Sequence, residues 1–160
     1  MDAQLREATE ADLGFLRDML YESIFVPPGS SPWPRKILDD PQIAHYLANW
    51  GRAGDYAVVA TREGLPVGAT WYRLMSLDDP GFGFVAADVP ELGIALRPMA
   101  RDQGIGTALL LNVIGHARDA GYRALSLSVQ PENPALRLYQ RLGFVTVGSD
   151  GDALTMLRAL

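Results

Sequence analysis

The sequence predicts an α/β fold built around a mixed β-sheet. Apolar runs typical of strands alternate with amphipathic helical patterns in the order β-α-α-β-β-β-α-β-α-β-β. Two tight-turn signals, Glu63-Gly64 and Asp150-Gly151, each join neighbouring strands as a hairpin. The length of 160 residues is that of one domain, so we expect residues 1–160 to fold as a single unit.

The first half of the chain begins with a strand and an amphipathic helix. Thr9 is a suitable N-cap, and Asp12 stands three residues later, where a capping box has its acid. We expect Pro41 to divide the second helix into two short pieces, because proline disrupts a helix interior. The predicted elements are a strand at 3–8, a helix at 10–24, a loop at 26–34, a divided helix at 35–50, and hairpin strands at 56–61 and 67–75.

The second half alternates strands and helices. Gly121 and Gly143 each follow a helical pattern at the C′ position, where a left-handed backbone favours glycine. The segment 76–87 is rich in Asp, Pro and Gly, and we expect a mobile loop there. The remaining predicted elements are a strand at 92–96, a helix at 104–120, a strand at 125–129, a helix at 134–142, and hairpin strands at 144–147 and 153–157.

Composition excludes several classes of site and partner. Cysteine is absent, which excludes disulfides, thiolate zinc sites and cysteine nucleophiles. The two histidines, His45 and His116, are far apart in sequence, and we expect no metal site. A net charge of −5 argues against nucleic-acid binding and is compatible with an amine substrate. No apolar run reaches membrane-spanning length and no signal peptide is evident, so we expect a cytoplasmic protein without membrane contact.

The segment Arg97–Gly106 carries the strongest functional signal. A predicted strand leads into it and a helical pattern leads out, so backbone N–H groups and the helix dipole meet at one turn. Such a turn binds anions, above all phosphate. A Walker A loop requires a lysine after Gly106, where this chain has Thr107. A dinucleotide fingerprint requires a third glycine where this chain has Leu109. A turn that merely packs tightly remains an alternative.

Two segments resemble one family of acyl-group transferases. Arg101-x-x-Gly104-x-Gly106 matches the Arg/Gln-x-x-Gly-x-Gly/Ala signature of the GCN5-related N-acetyltransferases, the GNAT superfamily. The segment 133–144, which contains Tyr139 and ends in Gly-Phe, resembles the second signature of that family. The two signatures follow in the family's order, separated by one predicted helix and one predicted strand.

The resemblance implies a fold and a cosubstrate. The fold would be a mostly antiparallel sheet of six to seven strands flanked by about four helices, with a splayed parallel strand pair that holds acetyl-CoA. The backbone of strand 92–96 would pair with the pantetheine arm, and the amides of the turn would bind the pyrophosphate. The implied cofactor contacts are Ile94, Ala95, Leu96, Arg101, Asp102, Gln103, Gly104, Ile105, Gly106, Thr107, Asn133 and Tyr139. Asp102 departs from the family's usual Gly, and we expect its carboxylate to face solvent.

Acetyl transfer to an amine requires a base and an acid. A lysine-like amine has a pKa of ~10.4, so its deprotonation at pH 7 costs about 4–5 kcal/mol. Glu91, just before the cofactor strand, is the candidate base, with Asp88 and Asp55 as rivals. Tyr139 is the candidate acid for the departing thiolate; a core tyrosine on an apolar helix face is the alternative.

The acceptor side is less specific. Trp33, Trp71 and Tyr72 are candidates for an aromatic wall, although strand alternation puts Trp71 and Tyr72 on opposite faces. Arg73 is a candidate for binding a substrate carboxylate, with a solvated surface arginine as the alternative. We expect an N-acetyltransferase, monomeric or homodimeric, that uses a ternary complex and a small-molecule or peptide amine acceptor. The alternatives are a noncatalytic acyl-CoA-binding module and a nucleotide-binding interaction protein.

Overall fold

The structure, a computed structural model that describes residues 2–160, contains one seven-stranded sheet. The strands lie in the order β1-β2-β3-β4-β5-β7-β6, and each neighbouring pair is antiparallel except β4 and β5, which are parallel. The predicted α/β fold with a mostly antiparallel sheet is therefore confirmed. The strands are β1 (Gln4–Glu7), β2 (Tyr56–Arg62), β3 (Leu65–Arg73), β4 (Glu91–Leu96), β5 (Ala124–Val129), β6 (Val145–Asp150) and β7 (Ala153–Ala159).

Helices cover both faces of this sheet. One face packs on α3 and α4, and the other packs on α1. The α-helices are α1 (Leu13–Ser23), α2 (Pro41–Ala44), α3 (Ile105–Asp119) and α4 (Ala135–Arg141), and short 3₁₀ turns form at Glu10–Asp12, Arg35–Asp39 and Pro98–Ala100. Among residues 2–160 there is no helix with both the length and the apolar character that crossing a bilayer requires.

Alternation along the central strands explains why the core has two halves. On β3, Trp71 packs with Leu16 and Met19 of α1, whereas its neighbour Tyr72 packs with the α3 side. Both side chains are about 1% exposed. Because helices cover both faces, the inner strands carry apolar residues at nearly every position, in place of the polar–apolar alternation of a half-exposed sheet.

The entry into α1 forms as the sequence predicts. The carboxylate of Asp12 accepts a hydrogen bond from the Thr9 backbone N–H at 2.8 Å, the bond of a capping box. The same carboxylate accepts two bonds from the Arg6 guanidinium, at 2.7 and 2.8 Å. These bonds, chiefly the two from Arg6, lower the pKa of Asp12 to about 2. The cap thus also links β1 to α1.

The second helix is divided at Pro41, as predicted, but its two pieces are shorter than expected over 35–50. The first piece is the 3₁₀ turn Arg35–Asp39; the second, α2, spans only Pro41–Ala44, and turns continue to Asn49. Pro41 occupies the first helical position, where proline is favoured, and Asp40 caps the helix by accepting a bond from the Gln42 N–H. Asn49 has a φ of 53°, a left-handed conformation that ends the helical path.

Candidate active site

The parallel strands β4 and β5 separate immediately after they meet. Their only register pair is Glu91 with Ser126, held by a hydrogen bond from the Ser126 N–H to the Pro90 carbonyl at 3.0 Å. Beyond Glu91, β4 is paired only with β3. A gap between two parallel strands therefore opens along the rest of β4, and Glu91 lies at its closed end.

The ladder between β3 and β4 determines which backbone groups face this gap. The N–H of Arg97 donates to the carbonyl of Val67 at 2.8 Å, so the odd-numbered residues of β4 bond to β3. By alternation, Ile94 and Leu96 direct their N–H and C=O groups toward the gap. Ala95, the third candidate contact on this strand, directs its N–H and C=O groups toward β3. An extended chain in the gap would pair with Ile94 and Leu96 as an added strand does.

The turn after β4 presents a run of backbone donors. The six consecutive N–H groups of residues 102–107 have no hydrogen-bond acceptor within residues 2–160. Gly104, the N-cap of α3, has a φ of 83°, and Asp102 has a φ of 60°. These left-handed residues bend the chain so that successive N–H groups converge, as in anion-binding nests. Asp102 is exposed, as expected.

Side chains hold this turn in place. The Gln103 amide donates to the Met99 carbonyl at 2.9 Å, and its oxygen accepts a bond from the Arg62 guanidinium of β2. Arg101 has half of its side chain exposed and lies 3.4 Å from the Glu22 carboxylate. The turn is thus fixed through side chains, while its backbone donors remain available.

Glu91 is buried, although it is the first residue of β4. The residue is 3% exposed, and its Oε2 accepts hydrogen bonds from the Tyr46 hydroxyl at 2.7 Å and the Gly83 N–H at 3.1 Å. Within residues 2–160, Oε1 has no hydrogen-bond partner. Burial raises the pKa of Glu91, while the bonds from Tyr46 and Gly83 and the charge of nearby His45 oppose that rise.

The loop before β4 covers this carboxylate. A Cβ on Gly81 would clash with Glu91 Oε1 and would lie 2.8 Å from the Glu91 carboxyl carbon and 2.8 Å from the Tyr46 hydroxyl oxygen. A Cβ on Gly83 would lie 2.5 Å from the backbone of Leu127 in β5. Side chains do not fit at either position, so the two glycines allow the loop to lie against the sheet. The segment that the sequence marked as a mobile loop is thus packed where it covers Glu91.

Tyr139 and Asn133 lie on and before α4. The ring of Tyr139 packs edge-to-face on Phe144, with centroids 6.0 Å apart, and the residue is 7% exposed. Burial raises the pKa of its phenol, so the hydroxyl remains protonated at neutral pH. The Asn133 side-chain oxygen accepts a bond from the Ala135 N–H at 2.9 Å and so caps the first turn of α4.

Two rival candidates for the base are committed to other partners. The Asp55 carboxylate is 3% exposed and accepts two bonds from Arg73 at 2.8 and 2.9 Å, besides the N–H groups of Gly51 and Arg52. Asp88 is exposed and pairs with Arg123, and this bond lowers the pKa of the carboxyl. Glu91 is the one of the three that lies at the gap between β4 and β5.

Three of the four candidate acceptor contacts require correction. Trp71 and Tyr72 are each about 1% exposed, on opposite faces of the sheet that helices cover, so both are core residues and do not form one aromatic wall. Arg73 is about 1% exposed, and its guanidinium is engaged by Asp55 and by backbone carbonyls. It is therefore neither a free carboxylate-binding group nor a solvated surface arginine. Trp33 is exposed, and its ring N–H donates to the Phe25 carbonyl at 3.2 Å.

Sequence reasoning missed how the candidate base Glu91 is held. Its bond to Tyr46 joins residues 45 positions apart, so no local pattern indicates it. His45, which had no assigned chemistry, lies with Nδ1 2.8 Å from the Asp79 carboxylate and with its ring edge-to-face on Tyr46. The glycines at 81 and 83 were the available signal for a loop that packs closely; they lie in a turn closed by the bond from the Phe84 N–H to the Gly81 carbonyl at 3.2 Å.

Comparison with known proteins identifies the family. The sequence model of the acetyltransferase (GNAT) family matches residues 18–144. A mycothiol acetyltransferase of Saccharomonospora viridis is 32% identical over 104 residues, which cover 64% of this chain and 33% of that protein. The chain thus spans about a third of the length of this curated relative.

Solved structures share the fold along the whole chain. The ribosomal-protein-alanine N-acetyltransferase of Brucella melitensis superposes with a TM-score of 0.71 at 28% identity, covering 98% of this chain and 99% of that one. A phosphinothricin acetyltransferase of Sinorhizobium meliloti, solved in complex with acetyl-CoA, gives a TM-score of 0.70 at 25% identity, covering 100% and 89%. With the family match spanning most of its length, the chain belongs to the acetyltransferase (GNAT) family.

Proposed function

We propose that this chain is an acetyl-CoA-dependent N-acetyltransferase that moves an acetyl group to a primary amine by direct attack in a ternary complex. The observation that carries the proposal is the run of N–H groups at 102–107, which have no acceptor in the described part of the chain, 2–160, and lie beside the open gap between β4 and β5. The related phosphinothricin acetyltransferase, solved with acetyl-CoA, supports the choice of cosubstrate. The acceptor would be a small-molecule or peptide amine.

The cofactor contacts follow from the donors that the fold leaves available. The amides of 102–107, at the positive end of the 15-residue helix α3, suit the two negative charges of a pyrophosphate. The backbone groups of Ile94 and Leu96 suit the amides of a pantetheine arm. We assign Arg101 to the rim of the anion site and Asn133 to the pantetheine side of the gap.

Two side chains have proton chemistry suited to the transfer. Acetyl-CoA, when bound, supplies an acyl group activated as a thioester. Glu91 accepts a proton from the acceptor ammonium, whose nitrogen then forms the bond to the acyl carbon. Tyr139 donates its phenolic proton to the sulfur as the carbon–sulfur bond breaks, a role consistent with a raised phenol pKa and a protonated hydroxyl. The nitrogen then loses its second proton, which restores the Tyr139 phenol, and the products are the neutral amide and CoA.

A panel of primary amines, assayed for CoA release, tests the proposal. We expect at least one amine to give turnover dependent on both substrates. Tyr139→Phe should lower kcat by a factor of about 10²–10⁴ while CoA affinity is retained. Glu91→Gln should lower kcat/KM, and the deficit should shrink as the pH rises, because more of the amine is already neutral. A pH-independent deficit would remove Glu91 as the base.

A noncatalytic acyl-CoA-binding module on the same fold is the second candidate. The observation in its favour is the covered state of Glu91, which is 3% exposed beneath the loop at 81–83. Such a module would bind CoA and give no turnover with any amine in the panel. Tyr139→Phe would then cause no loss of turnover, because the wild-type protein would have none.

A further inference from the structure

We propose that Tyr46 is a positioning residue for Glu91. Its hydroxyl donates a hydrogen bond to one carboxylate oxygen and accepts one from loop 81–83, which covers the carboxylate. The inference rests on the proposed role of Glu91 as the base and concerns a residue outside both family signatures. Tyr46 lies just after α2, 45 residues before Glu91, so the contact depends on the fold.

A short chain of hydrogen bonds carries the inference. The Phe82 N–H donates to the Tyr46 hydroxyl oxygen at 2.8 Å, and that hydroxyl donates to Glu91 Oε2 at 2.7 Å. The Gly83 N–H donates to the same Oε2 at 3.1 Å. One phenol thus joins the loop and the carboxylate. Each bond polarises the next and strengthens it in this buried environment.

The two carboxylate oxygens consequently differ. Oε2 accepts both bonds, whereas Oε1 has no partner within residues 2–160 and is buried. Oε1 lies against Gly81 of the covering loop. With Oε2 engaged, Oε1 is the oxygen left to take the proton of an acceptor amine, which reaches it where the loop gives way. The ring of Tyr46 is itself held, edge-to-face on His45 at 4.6 Å and tilted against Phe82 at 6.5 Å.

Charged groups near this carboxylate and Tyr46 come from several elements. Burial and the charge of Glu91 raise the pKa of the Tyr46 phenol, and the charge of Asp150, at the end of β6, adds to that rise. His45 lies beside Tyr46 and is paired with Asp79, and its charge favours the ionised form of Glu91. Arg73 is the cross-strand neighbour of Glu91 on β3, and its guanidinium is engaged by Asp55. On β5 the register partner is Ser126, which carries no charge. Tyr46 and the Gly83 N–H are thus the direct hydrogen-bond donors that favour the carboxylate.

The variant Tyr46→Phe tests the role, since it removes the hydroxyl and retains the ring. The acid limb of the kcat/KM profile should move to higher pH by about one unit, the shift produced by losing one charge-assisted hydrogen bond. In a Glu91→Gln background the same change should have no further effect on kcat/KM. Tyr56→Phe is the matched control, because the Tyr56 hydroxyl donates to Asn112 at 2.9 Å, away from Glu91.

Amide hydrogen exchange tests the loop contact without any substrate. In Tyr46→Phe, exchange at Phe82 and Gly83 should be about five- to tenfold faster, and in Tyr56→Phe it should be unchanged. If Glu91→Gln lowers kcat/KM but Tyr46→Phe shifts neither the acid limb nor the exchange, the positioning role is overturned and the proposed function stands. A wild-type protein without turnover on any amine would instead overturn the proposed function and this role with it.

Discussion

The buried pair between Arg73 and Asp55 predicts a large loss of stability on substitution of Arg73 by Met. The Arg73 guanidinium donates to both Asp55 oxygens, to the His45 carbonyl at 2.9 Å and to the Ala48 carbonyl at 2.7 Å. Both side chains of the ion pair are at most 3% exposed. Arg73 therefore joins β3 to the turns after α2, the segment that contains Tyr46.

The magnitude follows from what the substitution leaves behind. Met fills a similar volume but leaves the Asp55 carboxylate buried without its counter-charge, and it leaves two carbonyls without donors. Removing one partner of a buried ion pair costs about 3–5 kcal/mol. For a domain of about this size, each kcal/mol lowers Tm by about 2–4 °C, so Tm should fall by about 6–20 °C. Asp55→Asn in the Arg73→Met background should recover part of that loss, because the unpaired charge is removed.

Thermal unfolding followed by circular dichroism measures the effect, and the chain contains a matched control. Arg123 forms the same two-bond contact with Asp88, at 2.8 and 3.0 Å, but both side chains are more than half exposed. Arg123→Met should leave Tm unchanged within error, because water and salt screen an exposed pair. Equal shifts of Tm in Arg73→Met and Arg123→Met would refute the reasoning from burial.

Two further predictions concern the covering loop and the cap of α1. Gly81→Ala should force loop 81–83 away from Glu91 and lower kcat/KM for acyl transfer. Gly115→Ala is the control: a Cβ there meets open space, so activity should be unchanged. Loss of activity in both variants would contradict the packing argument. The pKa of Asp12 is about 2 in the folded protein against an ordinary 3.8, so its contribution to the free energy of unfolding is complete above about pH 4 and lost toward pH 2. Urea unfolding of wild type and Asp12→Asn should therefore differ most near neutral pH and converge toward pH 2; a constant difference would contradict the assignment.

Elements with local signals could be predicted from the sequence. The capping pair Thr9 and Asp12, the left-handed glycines Gly121 and Gly143, and the alternating strands depend on residues within a few positions of one another. These features were correctly predicted with approximately the observed bounds. The turn from strand to helix at Gly104 is equally local, and its role in binding phosphate stays a prediction.

The acceptor side was not predictable in the same way. Alternation correctly put Trp71 and Tyr72 on opposite faces, but it does not reveal that helices cover both faces. In the sequence, Arg73 has the character of a surface residue. Its burial depends on the partner Asp55, which lies 18 positions away and is buried beside it. The bond between Tyr46 and Glu91 likewise depends on tertiary packing.

The central claim is that the turn after β4 binds the pyrophosphate of acetyl-CoA, and one titration tests it most directly. Backbone amide resonances are recorded by ¹⁵N–¹H NMR while CoA is added, with ATP and NAD as comparison ligands. We expect saturable binding of CoA, with the largest shifts at the amides of 102–107 and further shifts at Ile94 and Leu96. No binding of CoA, or binding that leaves the amides of 102–107 unshifted, would contradict the account.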